Sequence, residues 1–350
     1  MADKYRVGAG GSWSTSGNWS LTSGGAGGAG APGASEKAII DANTPAGTIL
    51  LNGASASIGS LVWNPTNVVR LDRTANTFSI STALAAGMDF QQPLLLDGAF
   101  PSPDVFFLVV GGTASPSFSS VAQLPCTIRF SINSGTATLS TALSTLYDLD
   151  IAGTGTVSFN TQNVTARALI LRNGSNTTFS TGTTTLTGTG TVLSHVGTTS
   201  ISAASSTIVI SDTSSSTKTF FGDGKTFGEI RHAGNGPLSF STAGFTASLL
   251  SAVGAYTRTI QFTSSQTYTL TGISIEASAA NPVTVTASSS AAAIVNAASS
   301  STIFQLAFAT ISKITTSTGS GQAFRSTNGG TMTGWTFPGD ISHLFFGSNL

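Results

Sequence analysis

From Ile151 to Phe337 the chain is written almost wholly in short apolar triplets set among Ser, Thr, Gly and Ala, with four acids: Asp212, Asp223, Glu229 and Glu276. No stretch of the chain places apolar residues convincingly at helical spacing. Enrichment in Ser, Thr, Val, Ile and Phe points instead to strands throughout. Such a composition suits a repetitive β-structure whose job is shape and surface, and it suits a charge-driven active site poorly.

The strands repeat. Leu149 is followed eight and ten residues later by Val157 and Phe159, and Ile230 in the same way by Leu238 and Phe240. Ile275 leads to Val283 and Val285, and Leu169 leads to Thr177 and Phe179, with one apolar position taken by Thr. Leu149 to Leu169 and Ile230 to Leu250 are both 20 residues. Alternation within each set puts its apolar residues on one face of a strand. A period near 20, two short strands per unit and Gly or Asn at the corners predict a parallel β-solenoid, with outward Thr and Ser aligned in ladders. A β-sandwich also gives short alternating strands, but it does not require a constant offset.

Four segments follow. Residues 1–35 form an attachment segment with the linker Gly24–Gly33, residues 36–145 a β-rich N-terminal domain, residues 146–337 the solenoid, and residues 338–350 an apolar tail. Across 350 residues only 8% are charged and the net charge is zero. Apolar content of 40%, with 21 Phe, still provides the surface that a folded chain must bury. The absence of a basic excess removes the counterion-release drive for nucleic acid. No window supplies the ~20 apolar residues of a membrane helix, and the residues after Met1 do not read as a secretory signal. Cys126 stands alone and reads as a small buried apolar residue.

Conventional chemistry finds little support. Gly25–Gly30 fits a dinucleotide-loop pattern only by composition, since no strand precedes it and Ala-Pro-Gly follows. Gly224-Lys225-Thr226 lacks the glycine that a phosphate loop needs, so Lys225 reads as a turn residue. His195, His232 and His343 are scattered, which gives no basis for a metal site, and no cofactor is expected. Two acid pairs could in principle serve a glycosidase: Asp148 with Asp150, and Asp223 with Glu229. The simpler reading makes all four solvated outward or corner residues.

Three stretches carry a resemblance. The first is Lys4-Tyr5-Arg6-Val7-Gly8 with Ser12-Trp13 and Gly17-Asn18-Trp19-Ser20, continuing to Ala38–Asn43. The second is Thr257–Phe262 with Thr267–Gly272, and the third runs from Ala309–Lys313 to Asn328 and on to Gly334–Phe337. Together they resemble tailed-phage virion proteins, in which a Trp-rich start leads into a β-solenoid. The last unit departs from that pattern by being simpler. The resemblance implies a non-enzymatic virion appendage: a tail fibre, a spike or a head decoration. Its partners would be other virion proteins, sister chains in a homotrimer and, as a second possibility, a host surface glycan read by a receptor binder or depolymerase. A bacterial surface adhesin is the third reading. Trp13 and Trp19 are expected to attach the chain to the particle, and Leu344, Phe345 and Phe346 to be buried against a partner, because exposed they would form a sticky patch.

Overall fold

In the computed structural model, residues 2–51, 56–72, 77–80, 87–97, 107–112, 115–195 and 199–338 are described. Nearly all regular structure among them is β, the one helical piece being the three-residue turn Ser16–Asn18. Parallel strands stack as the coils of a β-solenoid. The chain divides into two compact units, residues 1–182 with 195–201 and residues 183–194 with 202–350.

In the first unit a coil has three short strands. Leu149–Ala152 turns into Thr156–Ser158, then Val164–Ala166, and the chain returns at Leu169–Leu171 directly beside its start. Leu149 pairs with Leu169 and Val157 with Thr177, the 20-residue offset read from the sequence. The corners are tight because glycine lets backbones meet. A Cβ on Gly153 would stand 2.2 Å from the Ile132 carbonyl oxygen of the preceding coil, and its φ of +84° is left-handed.

The ladder does not start at residue 146. Ile128 pairs with Leu149, Phe107 with Thr127, Thr77 with Phe107 and Ala56 with Phe78, all in parallel. On the next face Lys37–Ile40, Ser60–Trp63, Met88–Phe90 and Ser117–Ser120 stack in the same way. Coils therefore extend well into residues 36–145. The expectation of two strands per coil also gives way to three here, since each 20-residue turn is bent at three corners rather than two.

In the second unit the strands lengthen and the period loosens. Lys218–Phe221, Leu238–Ser241, Arg258–Phe262, Val283–Ala287, Ala309–Ile311 and Thr327–Asn328 stack on one face. Thr226–His232, Thr246–Ala252, Thr267–Ile275 and Ala293–Ala297 stack on another. Partners lie 20 residues apart from Lys218 to Leu238 and 26 apart from Val283 to Ala309. The register is fixed by inward side chains, and turns of unequal length absorb the difference. Inside, Phe220, Phe240 and Phe262 stack along successive coils with ring centroids 5.9 and 5.2 Å apart. Phe245 and Tyr268 close on Phe240 from the opposite strands.

Thr177, the hydroxyl residue in an apolar set, takes the inward position that its spacing assigned. It is 2% exposed and its hydroxyl makes no hydrogen bond. An unsatisfied buried hydroxyl costs about 1–3 kcal/mol. Thr177→Val, nearly equal in shape, is therefore expected to raise unfolding stability by about 1 kcal/mol in urea titration. A loss of stability would mean that the hydroxyl is bonded in solution.

Candidate functional site

The two N-terminal tryptophans sit at the start of the coil stack. The first strand, Asp3–Arg6, pairs in parallel with Lys37–Ile40 and, on its other edge, antiparallel with Trp19–Ser20. That antiparallel strand ends the parallel ladder there and covers an edge that would otherwise be open. Trp13 and Trp19 are 7% and 0% exposed, with ring centroids 4.7 Å apart in an edge-to-face arrangement. Trp19 Nε1 donates to the Trp13 carbonyl at 2.7 Å. The Arg6 guanidinium lies 5.5 Å from the Trp19 ring centre and donates to the carbonyls of Gly10, Gly11 and Ser12. Burial pulls the pKa of Arg6 down to about 10. The tryptophans expected as attachment contacts are thus the interior of this chain's own cap. Their signal in the sequence was real, but a Trp pair set among Gly, Ser and Asn does not say which side of a surface it occupies.

The glycine run is also part of the cap. Gly28 and Ala29 N–H groups donate to the Trp19 carbonyl, and the Lys4 ammonium bonds to the Ala29 carbonyl. A Cβ on Gly27 would lie 1.9 Å from the Gly17 carbonyl oxygen, so this position needs glycine for close approach. The expected free linker is a packed loop. Leu344, Phe345 and Phe346 lie outside the described residues.

Each of the four paired acids is engaged. Asp150 is 1% exposed although it faces outward, because arginines from the coils on either side cover it. Arg129, its register partner, donates through Nε at 2.8 Å and Nη2 at 2.5 Å. Arg172 donates from the other side through Nε at 2.8 Å and Nη2 at 2.9 Å. The hydrogen bond to Asp150 holds Arg172 above the usual guanidinium range. Asp148 takes a two-pronged contact from Arg167, both bonds 2.8 Å long. In the other unit Glu229 receives Arg231 through Nε at 2.9 Å and Nη2 at 2.7 Å, with Ser251 at 2.5 Å. Burial pushes the Glu229 carboxyl up, but the bonds from Arg231 and Ser251 outweigh it and hold it below the usual carboxylate range. Asp223 sits in a left-handed turn with φ +41° and accepts from the Thr242 hydroxyl and the Ala243 N–H of the following coil. These carboxylates join coil to coil, a use of charge that spacing along the sequence cannot reveal.

A buried basic cluster was not read from the sequence. Lys218, His232 and Arg258 all point inward at corners of the second unit and are at most 2% exposed. Lys218 Nζ bonds to Asp212 at 2.8 Å and to the carbonyls of Ser214 and Asn235. Arg258 donates to the carbonyls of His232, Val253 and Gly254. His232 Nε2 meets the Gly236 carbonyl at 3.0 Å, and its Nδ1 has no hydrogen-bond partner. Burial first, then the Arg258 and Lys218 charges, lower the His232 pKa. Basic side chains at an apolar, alternating position were the available signal.

On the outer face of the first unit, a shallow depression of about 280 Å³ is lined by Lys37, Ser60, Gly87, Asp89 and Ser119. Asp89 accepts from the Ser119 hydroxyl at 2.5 Å and from Gln91 Nε2 at 2.7 Å.

Two outcomes are expected from this geometry. Asp150→Ala removes the carboxylate that both arginines bind and should cost about 1–3 kcal/mol. Arg129→Ala with Arg172→Ala removes the same bonds but also uncovers Asp150 to water, so its cost should be similar. Denaturant unfolding in which Asp150→Ala left stability unchanged would contradict a bridge between coils. His232 has a folded pKa below its unfolded value. Its contribution is therefore fully present above about pH 6.5 and is lost as the pH falls toward the folded value. His232→Gln should accordingly flatten the change in melting temperature between pH 7 and pH 5.5 that the native chain shows.

No known family matches this chain, and no curated protein and no solved structure compared with it is similar.

Proposed function

We propose that this chain is a structural protein of a tailed-bacteriophage particle, a β-solenoid appendage of the fibre, spike or decoration kind. Support comes from the resemblance carried by the Trp13 and Trp19 motifs together with a fold of stacked parallel coils. The observation that carries the reading is the employment of charge. Asp150 is held between Arg129 and Arg172, and Asp148 by Arg167, each contact joining one coil to the next. In a chain with 14 acids and 14 bases, spending them as rivets between coils favours stiffness as the selected property. The capped N-terminal edge would be turned toward other virion proteins, and the chain would act as a homo-oligomer.

Antibodies against the purified chain are expected to label phage particles released from cells that carry its gene, seen by immunogold electron microscopy. Labelling confined to the cell envelope would favour the adhesin and overturn the reading.

The depression around Asp89 favours a second reading, a receptor binder for a host surface glycan. Its hydroxyls, one ammonium and one carboxylate offer the mixed hydrogen bonding that sugars use. Binding on a glycan array that disappears with Asp89→Ala would establish it, and binding indifferent to that change would remove it.

A further inference from the structure

The corner between Thr226–His232 and Leu238–Ser241 carries the pair Asn235-Gly236. Its backbone is held from three sides. The Asn235 N–H donates to the Asp212 carbonyl at 3.0 Å, the Asn235 carbonyl accepts from the buried Lys218 ammonium at 2.6 Å, and the Gly236 carbonyl meets His232 Nε2 at 3.0 Å. The Asn235 side chain turns back on its own chain, and its Oδ1 accepts from the Gly236 N–H at 2.7 Å. Gly236 has a φ of +73°, and a Cβ there would stand 2.7 Å from the Ser215 backbone carbon, so the position needs glycine. Asn235 itself is half-buried and within reach of water.

This corner holds a nucleophile beside an electrophile. With a C=O bond of about 1.23 Å, the Asn235 carboxamide carbon lies within ~4 Å of the Gly236 nitrogen. When hydroxide takes the proton from that nitrogen, negative charge spreads onto the Asn235 backbone oxygen, where Lys218 already donates. A cation fixed at the atom that gains charge lowers the barrier, as an oxyanion hole does. The nitrogen then bonds to the carboxamide carbon, the bond to the side-chain nitrogen breaks, and ammonia leaves with a proton from water, which restores the hydroxide. Water opens the resulting succinimide ring at either carbonyl, giving aspartate or isoaspartate. One water is consumed and one ammonia released, with no oxidant or reductant.

Asn328-Gly329, another pair of the same kind, is built differently. The Gly329 N–H donates to the Ile311 carbonyl, and Asn328 Oδ1 accepts from the Gly330 N–H, each at 2.8 Å. Nucleophile and carboxamide are there held by different partners.

We infer that Asn235 is a self-modification site, a deamidation by water that the fold accelerates through Lys218. The inference stands whether or not the chain belongs to a phage particle. Isoaspartate runs the main chain through one extra carbon, which draws the Asn235 carbonyl away from Lys218 and unfastens this corner as the protein ages.

Ageing the full chain at pH 8 and mapping its peptides by mass spectrometry, with isoaspartate read by its methyltransferase, tests this. In the folded chain Asn235 is expected to convert about tenfold faster than Asn328, a modest share of what one donor to a developing oxyanion supplies in an enzyme. In guanidinium, where only local sequence remains, the two rates should converge. Lys218→Met should slow Asn235 about tenfold and leave Asn328 unchanged, with circular dichroism matching the native protein. Should that variant fail to fold, the folded and denatured rates of the native chain decide. Equal rates in the folded chain, a faster Asn328, or a lead for Asn235 that persists in guanidinium overturns the inference. So does a folded Lys218→Met chain that converts Asn235 at the native rate.

Discussion

Every coil of this protein is held by the same contact, a strand hydrogen-bonded in parallel to its equivalent one coil away. The contact is non-local, joining residues from 14 to 38 positions apart among the described strands, such as Gly321 with Trp335 and Gly11 with Ile49. Because side chains on a strand alternate, a slip of one residue would turn a whole inward row outward. The register therefore has to be set by the inward residues. Leu149 on Leu169 and Phe220 on Phe240 do this, each stacking on a residue of like size. Turns are then free to vary, and the coil length in the second unit goes from 20 residues at Lys218–Leu238 to 26 at Val283–Ala309 and 17 at Thr310–Thr327 along one ladder.

Few charges are available, and they are used where backbone pairing stops. At the corners the chain turns too tightly for strand hydrogen bonds, and carbonyl groups are left over. Arg6, Lys218 and Arg258 collect them, each binding two or three carbonyls from loops that precede or follow it in the sequence. A cation that is buried and bound to several carbonyls fixes a turn more firmly than a neutral side chain can, because charge-assisted bonds are shorter and stronger. On the outside, arginine and carboxylate take the same role between coils, with Asp150 the most enclosed case. The N-terminal cap combines a buried cation, Arg6, with an aromatic pair and closes one edge with an antiparallel strand.

Much of the architecture was legible before any coordinates. The offset of eight and ten residues from Leu149 found a real corner, and the 20-residue return to Leu169 found a real rung. The odd threonine at 177 was rightly placed in an apolar row. The extent of the coils was not legible, because residues 36–145 lack a steady period although Ile128, Phe107 and Ala56 pair as coils do. The tryptophans were recognised as special and assigned to the wrong side of a surface. The simpler reading of the acid pairs as solvated residues does not hold for Asp150, which is enclosed, since its arginines arrive from 21 residues before and 22 after.

By itself the sequence determined the class of structure. Alternation is a property of neighbours along the chain, and so are the glycine and asparagine corners and the shortage of charge. Tertiary structure alone decided which residues meet across coils: the Asp150 bridge, the basic cluster around His232 and the buried tryptophan cap. Each of these depends on register between distant segments. Register is the summed outcome of many inward contacts and is written in no single stretch of the chain.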